Sequence, residues 1–376
     1  MLLSDLPTPQ VVIDHTRAMN NIARVQALAS EAGVRLRPHA KTHKSPAVAR
    51  WQLDAGAVGI ACAKIGEAEV FADAGVRDIR LPYPVNPANA PRLLALMDRS
   101  AISIIVDHAD VARGWSEAMA RAGRTLDVLI KVDVGFHRCG IDPHADPLGF
   151  IQATASLPGL KLRGLLSHAG HAYHAASEDA LRTIARDEVA LLADLRARAS
   201  ASGIALDEIS VGATPTLRFS AGLEGVTELR PGNYVYFDRT QVALGAASLD
   251  DCALTVLATV VAKHAGRIVL DCGSKTLTND QARGISPAAG YGAVLAGESD
   301  ALDYAREIDE TLTIERLSEE HATVRVTGAT RLEPGDRVRV VPNHSCVVSN
   351  LVDVVRLVDG DQVIETLPVA ARGRIQ

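Results

Sequence analysis

The sequence has no apolar run long enough to cross a bilayer, no cationic leader followed by an apolar stretch and a cleavage site, and no dense block of lysine and arginine. With a net charge of -6, these absences argue against a membrane, nucleic acid or an anionic surface as partner, and the expected location is cytoplasmic. Cysteine is scarce too. The five present, Cys62, Cys139, Cys252, Cys272 and Cys346, are odd in number and scattered, so no disulfide framework is expected, and any special cysteine should be a metal ligand or a reactive thiol. No solenoid repeat and no low-complexity tract interrupts the chain.

What remains is a chain of 376 residues, 47% hydrophobic, which suits a barrel of about 250 residues with a smaller second domain. After the extended piece PQVVID, residues 16–32 carry Ile22, Val25, Leu28 and Ala29 at helical spacing and stop at Gly33. Eight β-rich runs then alternate with helical ones: 34–40, 58–63, 79–84, 102–107, 127–133, 162–168, 208–213 and 228–237. The stretches between them, such as 45–55, 64–74, 91–98 and 110–122, have the composition of covering helices. Eight parallel strands with right-handed crossovers close a TIM-type (β/α)8 barrel. Near residue 250 the pattern changes to strand-like pieces joined by Gly, Asp and Pro turns, a mostly antiparallel β domain. The division expected is a strand over 1–15 associated with the β domain, a barrel over 16–250 and the β domain over 251–376, with a long loop at 284–300.

In such a barrel the chemistry sits at the C-terminal strand ends. Strand one ends in VRLRPHAKTHK and delivers Lys41, a position suited to an amine that forms a Schiff base with a carbonyl partner, for which pyridoxal phosphate is the expected compound. Strand five ends in Asp133, His137 and Arg138, and strand six in Ser167, His168, His171 and Tyr173. Gly212, Ala213 and Thr214 after strand seven, with Gly232, Asn233 and Tyr234 after strand eight, offer small side chains and free N–H groups at the place where barrels hold phosphate; two ordinary turns are the other reading. Arg138 is either a fixed donor to a phenolate oxygen or one half of a surface salt bridge. His168 is either a stacking imidazole or a hydrogen-bonded core histidine. In the second domain His344 and Cys346 are one residue apart, which on a strand places both on one face, half of an open zinc site or a chance pair.

Together DLPTPQVVID, RPHAKTHK, VDVGFHRCG, SHAGHAYH, SVGATPT, SEEHATV at 318–324 and PNHSC resemble, in order and spacing, the fold-type III pyridoxal-phosphate enzymes with an alanine-racemase-like barrel, in the branch of the D-serine dehydratases and D-threonine aldolases. The resemblance covers nearly the whole chain. It implies that Lys41 is the Schiff-base lysine, that Arg138 partners the phenolic oxygen, and that His168 lies against the cofactor ring. It further implies that Gly212, Ala213, Thr214, Gly232 and Asn233 hold the phosphate, with Tyr173 and Tyr234 beside the cofactor, and that His344 and Cys346 bind a divalent metal, zinc by ligand softness or else manganese. A homodimer acting on a small D-amino acid is implied as well.

Within the branch, His-Ser-Cys at the metal position and SVGATPT after strand seven are similar to the dehydratases, whereas the aldolases tend to show His-x-Asp. The implied reaction is loss of water from a β-hydroxy-D-amino acid such as D-serine or D-3-hydroxyaspartate, catalysed by Lys41, His344 and Cys346. The alternatives are retro-aldol cleavage to glycine and an aldehyde, racemisation, or cofactor carriage without turnover. His43, His171, Tyr173 and His321 are candidates for the proton beside the β-oxygen, and Arg239 for a substrate's second carboxylate.

Overall fold

The computed structural model describes residues 1–287, 289–295 and 307–376. The first strand, β1 (Gln10–Asp14), feeds a helix over His15–Glu31, and the Asp14 carboxylate caps it by accepting from the Arg17 amide. Its inner face is Ala18, Ile22, Val25 and Ala29, spaced by three and four residues. Burying Ile22 and Val25 contributes about 1.5 to 3 kcal/mol each. The helix gives way at Gly33, whose φ of 66° suits a residue without a Cβ.

Eight parallel strands follow: β2 (Arg35–Leu36), β3 (Ile60–Ala61), β4 (Asp78–Pro84), β5 (Ala101–Val106), β6 (Leu126–Lys131), β7 (Leu160–Leu166), β8 (Glu208–Val211) and β9 (Glu228–Leu229). They pair in the order β2-β9-β8-β7-β6-β5-β4-β3, and a parallel bridge between His39 and Ala61 joins the two ends into a barrel. The (β/α)8 expectation is met, with β2, β3, β6, β8 and β9 shorter than the sequence suggests. The run at 228–237 is corrected most: only Glu228–Leu229 is strand, because Pro231 has no amide to extend the ladder and the chain turns into a 3-10 segment at Asn233–Val235.

Inside the barrel, apolar Ile105, Leu129 and Leu166 meet in one cluster. Nearer the N-terminal ends lies a buried ionic lattice. Arg37 donates to Glu228 at 2.8 Å and to Asp78 at 2.6 Å, and Arg80 reaches Glu228 at 2.5 Å and Glu208 at 2.9 Å. Ser210 donates to Glu228 at 2.6 Å, and Arg230 donates to Ser210 at 2.8 Å.

The second sheet comprises β1 together with β10 (Leu254–His264), β11 (Arg267–Leu270), β12 (Ala293–Val294), β13 (Leu312–Leu317), β14 (Ala322–Val326), β15 (Arg337–Val341), β16 (Val354–Asp359) and β17 (Gln362–Pro368). It is antiparallel except where β1 runs parallel to β16, and β1 also pairs with β10 through Val12 and Thr255. Of the loop expected at 284–300, Ala293 and Val294 pair with β15, while 288 and 296–300 lie outside the described residues. No helix among the described residues is long and apolar enough to cross a membrane.

The turn after β15 is latched onto the barrel. The Arg239 amide donates to the Pro342 carbonyl at 3.1 Å, Thr240 Oγ1 to the Asn343 carbonyl at 2.8 Å, and the Ser345 amide to Asp238 Oδ2 at 3.0 Å. From the next turn, Ser349 Oγ donates to the Thr42 carbonyl, one residue beyond Lys41. These contacts carry His344 and Cys346 to the barrel mouth.

Candidate active site

A cavity of about 270 Å³ opens at the C-terminal ends of the strands, where the barrel meets the turn after β15. Its wall includes Lys41, Arg138, His168 and Tyr173 from the barrel and His344 and Cys346 from the β domain. Residues separated by some three hundred positions in sequence therefore share one chamber.

Lys41 sits in a 3-10 turn, Ala40–Thr42, that leaves β2, and its amide points to His39 Nδ1 at 3.4 Å. Burial holds its ammonium below the usual lysine range; the Cys346 charge opposes that shift, and Arg138 and Arg230 add to it. No carboxylate among the described residues pairs with it. A lysine so placed is readily available as a neutral amine, the form that attacks carbonyls and accepts protons.

His168 Nδ1 lies 2.5 Å from the Gly212 carbonyl, so the tautomer with the proton on Nδ1 satisfies this contact. Burial first, then the Lys41 and Lys131 charges, keep the ring neutral. Its edge meets Phe136 at 5.7 Å, and Arg138 stacks over the same Phe136 ring at 4.9 Å.

Ala213, Thr214, Gly232 and Asn233 line the cavity beside Lys41. Thr214 Oγ1 and Asn233 Oδ1 are buried with no partner among the described protein atoms, a cost of about 1 to 3 kcal/mol each unless a ligand supplies one. A Cβ on Gly232 would stand 3.0 Å from the His39 carbonyl and from Thr42 Oγ1, a tight contact that those neighbours would have to yield to by a few tenths of an ångström. Gly212 acts from behind the wall, through the carbonyl that faces His168. Tyr234 lies further back; it is fully buried and its hydroxyl accepts from Gln52 Nε2 at 3.0 Å, so its side chain is a core element.

His344 and Cys346 do not lie on a strand. His344 caps a short helix, Ser345–Ser349, and Cys346 is in its first turn. The single-face expectation arose from strand geometry, whereas a helix start brings the two side chains together by a different route. His344 Nδ1 contacts Asp280 Oδ2 at 2.5 Å. Burial works against a charge on His344, but bonds to Asp280 and Cys346 outweigh it and raise the imidazole to about 10. Burial likewise pushes the Cys346 thiol up, and the His344 bond together with the His344 and Lys41 charges overcomes it, leaving the thiol low. Cys346 Sγ also lies 3.2 Å from Thr42 Oγ1 and 3.4 Å from Asn233 Nδ2.

This donor set fits a metal: a thiolate, and an imidazole oriented through its other nitrogen by a carboxylate. Among the described residues no group of three His, Cys, Asp or Glu side chains has ligating geometry, so a metal here would take its remaining ligands from water and substrate. The lining also fits an aldehyde-bearing anionic cofactor, with an amine, an arginine, an imidazole and the unpartnered Thr214 hydroxyl around one chamber.

Several contributors are not apparent from the strand-end motifs. Asp280 orients His344 from a loop 64 positions earlier. Asp238 binds Asn233 Nδ2 at 2.6 Å and the Ser345 amide; its sequence signal is that of a helix cap, since it accepts from the Gln241 amide. Lys131, at the end of β6, is held at about 7 by burial and by the Arg230 charge. Of the proton-transfer candidates only Tyr173 lines the cavity, joined by His174; His43 is sealed against Phe71 and Ser45, and His321 is exposed elsewhere. Arg239 is buried and donates to Asn343 Oδ1 at 3.1 Å and to the Ala289 carbonyl at 3.2 Å.

Two family models match successive stretches of the chain. Residues 13–240 match the model described as alanine racemase, N-terminal domain, and residues 253–358 match the putative serine dehydratase domain. The chain is 34% identical to D-threo-3-hydroxyaspartate dehydratase of Delftia sp. (strain HT23), over 97% of each protein. It is also 34% identical to a D-threonine aldolase of Arthrobacter sp., over 99% of this chain and 94% of that one. A solved structure of D-threo-3-hydroxyaspartate dehydratase, a cysteine-to-alanine mutant in the metal-free form, superposes with a TM-score of 0.90 at 33% identity and 98% coverage of both chains. With both models matched in succession and residues of both stretches lining the cavity, the chain belongs to the fold-type III pyridoxal-phosphate enzymes that join an alanine racemase N-terminal domain to a serine dehydratase domain.

Proposed function

We propose that the protein is a lyase dependent on pyridoxal phosphate and a divalent metal, acting on β-hydroxy-D-amino acids and eliminating water from them. The observation that carries this reading is the placement of Lys41 and the His344–Cys346 pair in the wall of one cavity. Lys41 would hold the cofactor's aldehyde carbon, Arg138 its ring oxygen, His168 its ring face, and Ala213, Thr214, Gly232 and Asn233 its phosphate. His344 and Cys346 would hold the metal, zinc by ligand softness.

The cofactor supplies an electron sink for charge at the substrate's α-carbon. The metal supplies a Lewis acid toward the β-oxygen. Lys41 Nζ, whose proton burial loosens, would take the α-proton. Asp280 fixes the His344 ring so that the nitrogen away from Nδ1 faces the metal position. Tyr173 holds its hydroxyl proton well above the usual tyrosine range, through burial and then the charges of Cys346 and Asp238. Kept protonated, it is a hydrogen-bond donor in the cavity wall and a poorer acid than an ordinary tyrosine, so it would orient the β-oxygen in either reaction. Retro-aldol cleavage is the second reading, supported by the equal identity to a named D-threonine aldolase.

The test is product identification. Loaded protein is incubated with D-serine, D-threonine and D-3-hydroxyaspartate, with and without chelator. A keto acid with ammonia, lost on chelation, is the expected result. An aldehyde with glycine selects cleavage, and no release of either product from any of the three contradicts the reading.

A further inference from the structure

The cavity gathers five cationic side chains, Lys41, Lys131, Arg138, Arg230 and Arg283, and only two carboxylates, Asp238 and Asp280. Both carboxylates are engaged: Asp238 by Asn233, Ser345 and Gln241, and Asp280 by His344. Arg230 is tied to Ser210 and to the Ser167 carbonyl inside the barrel. Lys131 is only 3% exposed, at the barrel end of the chamber. Lys41 and Arg138 have their places in the proposed lyase. Arg283 is left over. It is exposed at the cavity mouth and forms no ion pair or hydrogen bond with any other described residue.

Its position is informative. Arg283 stands three residues after Asp280, and its charge is felt by Asp280 and Tyr173, which belong to the His344–Cys346 side. The Arg138 charge acts on His39, Lys41 and His168, the lysine side. Both arginines line the chamber, Arg283 on the loop whose Asp280 contacts His344 and Arg138 over the Phe136 ring that meets His168. A substrate whose α-carbon is at Lys41 and whose β-oxygen is at the metal pair would present its β-substituent to Arg283. The guanidinium fork matches a carboxylate through two parallel N–H bonds, whereas hydrogen or methyl, the substituents of D-serine and D-threonine, offers it nothing.

We propose that Arg283 reads a second carboxylate on the substrate's β-carbon, so that the preferred substrate class is the β-hydroxy dicarboxylic D-amino acids, with D-3-hydroxyaspartate ahead of D-serine and D-threonine. This rests on the lyase reading, and the experiment separates the two. The ratio of kcat/KM for D-3-hydroxyaspartate to that for D-serine is measured in the wild type, Arg283→Ala and Arg283→Lys. The ratio is expected to exceed one in the wild type and to fall about 10- to 100-fold in Arg283→Ala, chiefly through KM, with partial recovery in Arg283→Lys. In parallel, calorimetry follows binding of the unreactive dicarboxylate succinate against the monocarboxylate propionate, and only succinate should weaken in Arg283→Ala. An unchanged ratio with both substrates impaired equally would show that Arg283 holds the α-carboxylate and would overturn the proposal. So would a wild type that prefers D-serine, or succinate binding indifferent to the substitution. If no substrate yields product, the lyase reading fails and the calorimetry alone decides whether Arg283 selects dicarboxylates.

Discussion

At the floor of the barrel Arg37 and Arg80 are satisfied by Glu228, Glu208 and Asp78, whereas at the mouth Lys41, Lys131, Arg138 and Arg283 pair with no carboxylate among the described residues. The floor cations are buried; at the mouth Lys131 is buried, Lys41 half-buried, and Arg138 and Arg283 exposed, Arg283 coming from the β domain. The floor spends its charges on one another, so its lattice holds the strands in register and no group is left to act. The mouth leaves its charges and two polar side-chain atoms open; a bound anion would relieve the charges and the Thr214 hydroxyl, while Asn233 Oδ1 awaits a donor. Pairing, more than polarity, separates the scaffold from the site.

The strongest way to break this comparison is Lys41→Ala. Turnover is expected to fall by about 10⁴-fold while the unfolding midpoint is held, because an unpaired cation is removed. A large drop in midpoint would place Lys41 with the scaffold. Glu228→Gln should do the opposite. Removing one partner from a buried ionic lattice costs about 3 to 5 kcal/mol, read by denaturant unfolding, with bound cofactor retained in the folded fraction. Cys346→Ser is expected to lower metal content and turnover by about 100-fold with little change in midpoint. Metal analysis and rates checked together would show whether the two fall in parallel.

Acid provides the mildest probe. Burial alone would raise the Glu228 carboxyl, but Arg80 and Arg37 bring it down to about 2 from an ordinary value of 4.5. A carboxyl lowered in the folded state contributes stability that is fully present above about pH 4.5 and is lost as the pH falls toward 2. The midpoint should therefore decline below pH 4.5 in the wild type. Glu228→Gln should remove that part of the slope, and an unaltered slope would mean that other carboxylates govern acid unfolding.

Much of this division is legible in the sequence. The alternation of β-rich and helical runs marks the barrel, and the strand-end rule finds Lys41, Arg138 and His168 because a parallel barrel presents its C-terminal ends together. Strand lengths are less legible. In 228–237, buried Tyr234, Tyr236 and Phe237 imitate a strand's apolar content although Pro231 has already ended the ladder. The His344–Cys346 pair is visible, but its helix-start setting is not, since spacing by two is compatible with either backbone. Asp280 and Arg283 are invisible for another reason. They come from the loop between β11 and β12 of the second sheet, and only tertiary packing against the turn after β15 brings that loop to the cavity. Arg239, the sequence candidate for an extra cation, is used instead to hold Asn343 in that turn.

The central claim is that Lys41, and not its equally unpaired neighbour Lys131, would carry the cofactor. Reduction of the pyridoxal-phosphate-loaded protein with borohydride, followed by peptide mapping, tests it directly, because Lys41 and Lys131 line the same cavity on separate peptides. The account predicts the added cofactor mass on the peptide containing Lys41 and none on that containing Lys131. Label on Lys131, or an unmodified Lys41 in fully loaded material, would contradict it.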